Sequence, residues 1–189
     1  MDRFEKTNAQ FDAAVGECRA IFEKKLHDYR ASWRILRPQS LTDQLFIKAK
    51  RIRSLEIKQE SLVGEGIRPE FMALVNYGIV GLIQLERGFA DTVDISNEEA
   101  LELYSRYAHE ALELMKRKNH DYDEAWRGMR VSSYTDLILT KIERIKEIED
   151  IEQRGGQLKV SEGVDSNLMD IINYSVFGLI KLGDEEVRS

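Results

Sequence analysis

The chain repeats itself. Residues 17–57 align with 110–150 at an offset of 93, and fifteen of those 41 positions are identical. Residues 63–85 align with 160–182 at an offset of 97, with ten identities in 23 positions. The four extra residues of the second copy fall near Gln153, Arg154, Gly155 and Gly156, a loop composition. A period near 93 exceeds the roughly 20–50 residues of a solenoid unit. The chain therefore reads as a tandem duplication with halves 1–92 and 93–189.

Each half predicts three helices. Thr7–Gln10 and Ser96–Glu99 have the spacing of a capping box and are expected to open the first helix of each half. Its apolar stripe is Phe11, Val15, Cys18, Phe22 and Tyr29, matched later by Tyr104, Ala108, Ala111, Met115 and Tyr122. Ser40–Asp43 and Ser133–Asp136 are expected to open the second helix, with Asp43 and Asp136 as capping acids. That helix carries Leu41, Leu45, Ile52 and Leu55, or Tyr134, Ile138, Ile145 and Ile148. The third helix starts near Pro69 or Asp165 and is apolar nearly all round, as a central buried helix must be. Neither half has enough outer helices to cover its own central one. The expected fold is all-α, a six-helix bundle with a pseudo-two-fold axis.

Charge narrows the partners. Lys and Arg number 28 against 34 Asp and Glu, a net charge of −6. That argues against a nucleic-acid partner, because phosphate-backbone binding needs a basic surface. No apolar stretch is long enough to span a bilayer, and residues 1–6 lack the apolar core of a signal peptide. No membrane partner and a cytoplasmic location are expected. Cys18 is the only cysteine, so an internal disulfide is impossible. A monomer and a homodimer both remain open.

The polar residues kept by both halves are the candidates for function. They are Lys25/Lys118, His27/His120, Asp28/Asp121, Tyr29/Tyr122, Trp33/Trp126, Arg34/Arg127, Lys48/Lys141, Arg51/Arg144, Glu65/Glu162, Asn76/Asn173 and Tyr77/Tyr174. Lys48 and Lys141 stand in line with an apolar stripe, where a lysine is costly unless paired. Each has an arginine one turn on, Arg51 or Arg144. The pairs read either as a phosphate cradle or as a snorkelling lysine beside a surface arginine. Asp170 is an acid in the apolar third helix, and Glu162 precedes that helix. Together they could hold Mg²⁺, or Asp170 could pair with Arg144 and only fix packing. The first half keeps Lys48 and Arg51 but has Ala73 in place of Asp170, which argues against a purely structural pair. His-Asp occurs twice, at 27–28 and 120–121, but three histidines are too few for an HD-type phosphohydrolase centre.

Lys118-Asn119-His120-Asp121-Tyr122, then Trp126, Asp136, Lys141, Arg144, Glu162 and Asp170-Ile171-Ile172-Asn173-Tyr174 resemble the nucleotide modification associated domain 1 family. The first half carries the same order of motifs. That family is similar to the MazG-like all-α nucleotide pyrophosphatases, whose paired acidic motifs bind Mg²⁺ around a triphosphate. Here Asn167 and Asp170, or Glu70 and Ala73, stand where such an enzyme has Glu and Asp. The resemblance implies a nucleotide-binding, metal-dependent nucleoside di- or triphosphate (pyro)phosphohydrolase. In that role Glu162 and Asp170 hold Mg²⁺, Lys141, Arg144, Arg127, Lys48 and Arg51 hold phosphate, and Asp121 orients water. Asn173, Tyr174, His120 and Trp126 would contact base or sugar. The alternatives are a non-catalytic nucleotide-binding or accessory protein and a structural oligomer with no ligand.

Overall fold

The computed structural model describes residues 3–60, 66–160 and 162–189. Met1, Asp2, residues 61–65 (Glu65 among them) and Ser161 lie outside the described residues. The described chain forms six long helices and no strand: α1 (Arg3–Tyr29), α2 (Pro38–Lys58), α3 (Arg68–Arg87), α4 (Asn97–Tyr122), α5 (Val131–Gln153) and α6 (Val164–Arg188). Short 3-10 turns, Ser32–Ile35 and Ala125–Gly128, follow α1 and α4.

The central helices α3 and α6 cross each other, and each also packs on the second helix of its own half. The crossing is close because both helices place glycine there. A Cβ on Gly81 would stand 2.9 Å from Leu168, and one on Gly178 would stand 3.0 Å from the Phe71 ring. These two contacts are the same contact seen from each side: Gly81 and Phe71 correspond to Gly178 and Leu168 at the offset of 97.

The second helices repeat this reciprocity. Thr42 donates to Glu149 at 2.7 Å and Thr135 donates to Glu56 at 2.6 Å, linking α2 to α5 twice. Helices α1 and α4 also pack together. Self-matching contacts of this kind are the signature of an isologous dimer interface. Here they lie within one chain, so the two copies share one core. Phe11, Phe71, Leu45, Ile52, Tyr104, Ile138, Ile171 and Ile172 are among its fully buried side chains.

Several local expectations are corrected. Ser96 does cap α4, accepting from the Glu99 amide at 3.1 Å. Thr7 does not open a helix, because α1 begins at Arg3. Thr7 is instead buried and donates to the Glu124 carboxylate. Helices α2 and α5 begin at Pro38 and Val131, ahead of the expected boxes. Asp136 consequently pairs with Arg53 across the bundle rather than capping. Tyr29 and Tyr122, placed on the apolar stripe by periodicity, are 66% and 70% exposed at the last turn of their helices. Among the described residues no helix is long and apolar enough to cross a membrane.

Candidate functional site

The repeat-matched lysines find different partners in the two halves. In the second half Lys141 emerges from the buried stripe of α5, and only 13% of its side chain is exposed. An ammonium so placed needs an anion, and Asp170 of α6 supplies it. Lys141 Nζ lies 2.8 Å from Asp170 Oδ2, while Lys118 Nζ of α4 donates to Asp170 Oδ1 at 2.7 Å. Burial alone would raise the Asp170 carboxyl, but the hydrogen bonds from Lys118 and Lys141 outweigh it and hold the group below its ordinary range. Arg144 turns away and meets the exposed Glu162 at 3.4 Å. The structural alternative, an Asp170–Arg144 pair, is not formed; a Lys118–Asp170–Lys141 bridge stands in its place.

In the first half the acid sits one helical turn earlier. Glu70 of α3 corresponds to Asn167, and Ala73 to Asp170. Arg51 donates to Glu70 Oε1. Lys48 Nζ stands 3.7 Å from Glu70 Oε2, beyond hydrogen-bond distance. That oxygen is buried and accepts no hydrogen bond. The loss of Asp at position 73 thus does not leave Lys48 and Arg51 without an acid, and the asymmetry no longer argues against a structural role for these pairs. Lys25, the counterpart of Lys118, has no carboxylate partner among the described residues.

Around these groups a cavity of about 640 Å³ opens between α1, the first 3-10 turn, α2 and α3. Lys25, Lys48, Glu70 and Ala73 line one part of it. Phe22, Tyr29, Trp33, Tyr77 and Met72 supply its apolar walls. Its size falls within the roughly 300–1,000 Å³ of small-molecule sites. Trp33 is held there by Gln84, which donates to the backbone carbonyls of Trp33, Arg34 and Leu36 at 3.2, 3.0 and 3.0 Å. Arg34 is buried and locks the same turn through Asp94 at 2.7 Å and the Gly88 carbonyl at 2.6 Å. Burial raises the Tyr77 phenol, which is therefore neutral at physiological pH.

Most of the second-half residues expected to touch a nucleotide are already engaged. Trp126 is buried, with Phe177 stacked on it at 4.2 Å and the Arg127 guanidinium over it at 4.4 Å, so a base finds no free face. Arg127 donates to Thr7 at 2.5 Å and Gln10 at 2.7 Å and pairs with Glu124 at 3.3 Å, which ties α1 to the second half. Asn173 is buried and donates to the Ala111 carbonyl. Tyr174 stacks on Tyr134. His120 and Asp121 are exposed, and each has the other as its partner at 3.1 Å. These positions describe packing and surface rather than a base pocket.

The donor set also decides how Mg²⁺ would fit. Both oxygens of Asp170 face ammonium groups, and Glu162 faces Arg144. A divalent cation at Asp170 would have to displace two lysines whose charges repel it. Among the described residues no cluster of three or more His, Cys, Asp or Glu is placed to share a cation. Glu162 and Asp170 do not fit a magnesium centre. Cys18 is fully buried and its thiol is pushed up to about 12, so it is no nucleophile.

Residue order and geometry agree with kinship. The profile of the family described as nucleotide modification associated domain 1 matches residues 25–85 and, again, 118–182. Those segments are most of the chain, and the chain belongs to that family. Comparison with curated proteins and with solved structures finds no match. Both matched segments begin at Lys25 or Lys118, the candidate lysine to which the sequence assigned no role. The one available signal was that both halves keep it.

Proposed function

We propose that this chain binds a nucleotide in the first-half cavity, with phosphate towards Lys25 and Lys48 and the base against Trp33 and Tyr77. One observation carries this reading. Lys25 and Lys48, the counterparts of the two lysines that Asp170 neutralises in the second half, border an open, aromatic-walled cavity in the first. Two ammonium groups at one rim suit a phosphate. Flat aromatic walls suit a purine or pyrimidine. The family's description supports a nucleotide as the ligand class.

Binding without metal-dependent cleavage is the reading the residues favour. A MazG-like pyrophosphohydrolase would need free carboxylates, and the acids at its expected centre are held by Lys118, Lys141 and Arg144. Of the expected phosphate residues Lys141, Arg144, Arg127, Lys48 and Arg51, Lys48 is kept and Lys25 is added.

The test is thermal stabilisation by a panel of nucleoside mono-, di- and triphosphates, ribo and deoxy, in EDTA and in Mg²⁺. A ligand at about 100 times its Kd adds roughly 2.7 kcal/mol, which raises Tm by about 5–11 °C for a chain of this size. The shift should survive EDTA, vanish in Lys25→Met and Lys48→Met, and persist in Lys118→Met. No shift with any nucleotide, or a shift indifferent to Lys25 and Lys48, would refute the proposal. A shift that requires Mg²⁺ and is accompanied by pyrophosphate release would restore the hydrolase reading.

A further inference from the structure

We infer that Asp170 is a built-in occupant. Its carboxylate stands in the second half where the anionic group of the ligand stands in the first, so the chain has two copies of one anion site and only the first is open. This rests on the nucleotide reading above and adds the ligand's anionic end and the number of sites.

The repeat supplies the geometry. Lys118 and Lys141 each hold one oxygen of a single acid group, at 2.7 and 2.8 Å. Their counterparts Lys25 and Lys48 lie on the equivalent helices, α1 and α2, and border one cavity. On the third helix the counterpart of Asp170 is Ala73, which lines that cavity. Truncation from Asp to Ala removes the internal anion and leaves the volume it would fill. What two lysines hold through one oxygen each is a single acid group. The matching ligand end is one terminal phosphate, as in a nucleoside monophosphate, with one oxygen towards Lys25 and another towards Lys48.

In the open copy Glu70 pairs loosely with Lys48, and no ion pair joins it to Lys25 among the described residues. Its bond to Arg51 draws its Oε1 away, and its Oε2 stays 3.7 Å from Lys48. In the closed copy the equivalent residue is the neutral Asn167, whose amide donates to the Gly163 carbonyl at 2.8 Å. Each half thus carries one acid facing its lysines, but only at position 170 does that acid bridge both.

Removing the occupant should open the second site, and installing one should close the first. Titration calorimetry in phosphate-free buffer would use nucleoside 5′-monophosphates and, separately, inorganic phosphate. The natural chain should take up one equivalent. Asp170→Ala should take up a second equivalent of inorganic phosphate, lost on adding Lys141→Met. Ala73→Asp should lose at least tenfold in affinity. Circular dichroism checks that each variant is folded, and Asp170→Ser serves if Asp170→Ala is not.

One equivalent of nucleoside monophosphate in the natural chain, lost in Lys25→Met, together with only one equivalent of inorganic phosphate in folded Asp170→Ala or Asp170→Ser, would overturn this inference while leaving the nucleotide reading intact. Unchanged affinity in Ala73→Asp would overturn it equally, and does not depend on the stability of the Asp170 variants. No uptake by the natural chain or by any variant would overturn both.

Discussion

Replacing Asp170 with Asn tests the lysine bridge through stability alone. The change keeps shape but removes the charge and one acceptor. An Asn oxygen still accepts from one lysine, while its amino group faces the other. The consequences differ for the two lysines. Lys118 is 48% exposed, so water takes over most of its solvation and its loss is worth a few tenths of a kcal/mol. Lys141 is 13% exposed, and its charge would be left largely unpaired. Breaking a fully buried pair costs about 3–5 kcal/mol. With the retained Asn bond and the residual exposure, we expect about 2–3 kcal/mol, equivalent to roughly 4–12 °C in Tm for a chain of this length.

The pH dependence has a fixed sign. The Asp170 carboxyl titrates lower in the folded chain than in the unfolded one. Its contribution is therefore complete above the unfolded pKa of about 3.9 and lost as pH falls through the lower folded value. Urea denaturation of both proteins at pH 7, 5 and 3 measures the difference, in which all other acids cancel. The gap should be the same at pH 7 and 5 and should narrow at pH 3. A gap below about 0.5 kcal/mol at pH 7, or one independent of pH, would refute the bridge. A double change, Lys141→Met with Asp170→Leu, removes both charges and should recover much of the loss.

Other consequences are checked by the same denaturation assay. Gly78 faces Ile172 so closely that a Cβ would stand 2.6 Å from its side chain, whereas Gly16 in α1 has open space around it. Gly16→Ala should stabilise by about 0.5–1 kcal/mol, and Gly78→Ala should destabilise by about 1–2 kcal/mol once overpacking exceeds the same helix gain. The Tyr104 hydroxyl donates to Asn76 at 2.7 Å, so Tyr104→Phe should cost about 0.5–1.5 kcal/mol by removing a part-buried hydrogen bond. Its repeat counterpart is Phe11, and Asn173 Oδ1 correspondingly has no donor. Thr42→Val and Thr135→Val, which each cut one arm of the reciprocal α2–α5 link, should cost about 1–2 kcal/mol apiece and to similar extents.

The architecture was readable because it rests on local pattern and on repetition. Apolar spacing marked the buried stripes of α2 and α5, and Pro69 and Asp165 marked the starts of α3 and α6. The offset of 93 implied a pseudo-two-fold core, which the matched Gly81–Leu168 and Gly178–Phe71 contacts express. Helix starts at Thr7, Ser40 and Ser133 were misread because a hydroxyl three residues before an acid or amide is also compatible with a helix interior. There Thr7 and Thr135 spend their hydroxyls on Glu124 and Glu56 from the other half.

The site was harder to read, since partner choice among charges on different helices is a matter of interhelical distance. Arg144 lies one turn from Lys141 in sequence and looked like the partner of Asp170, yet Lys118 from α4 reaches it instead. Glu70 was visible as an acid but not as the residue that takes Arg51 while failing to bridge to Lys25. His120 and Asp121, alike in both halves, turned out to occupy an exposed helix end, where identity carries no information about a pocket.

The most direct test of the central claim is a crystal structure of the chain with a nucleoside monophosphate bound. Phosphate density is expected between Lys25 and Lys48 with the base against Trp33 and Tyr77, beside an intact Lys118–Asp170–Lys141 bridge. A nucleotide seated instead on Lys141, with Asp170 turned away from its lysines, would contradict that claim.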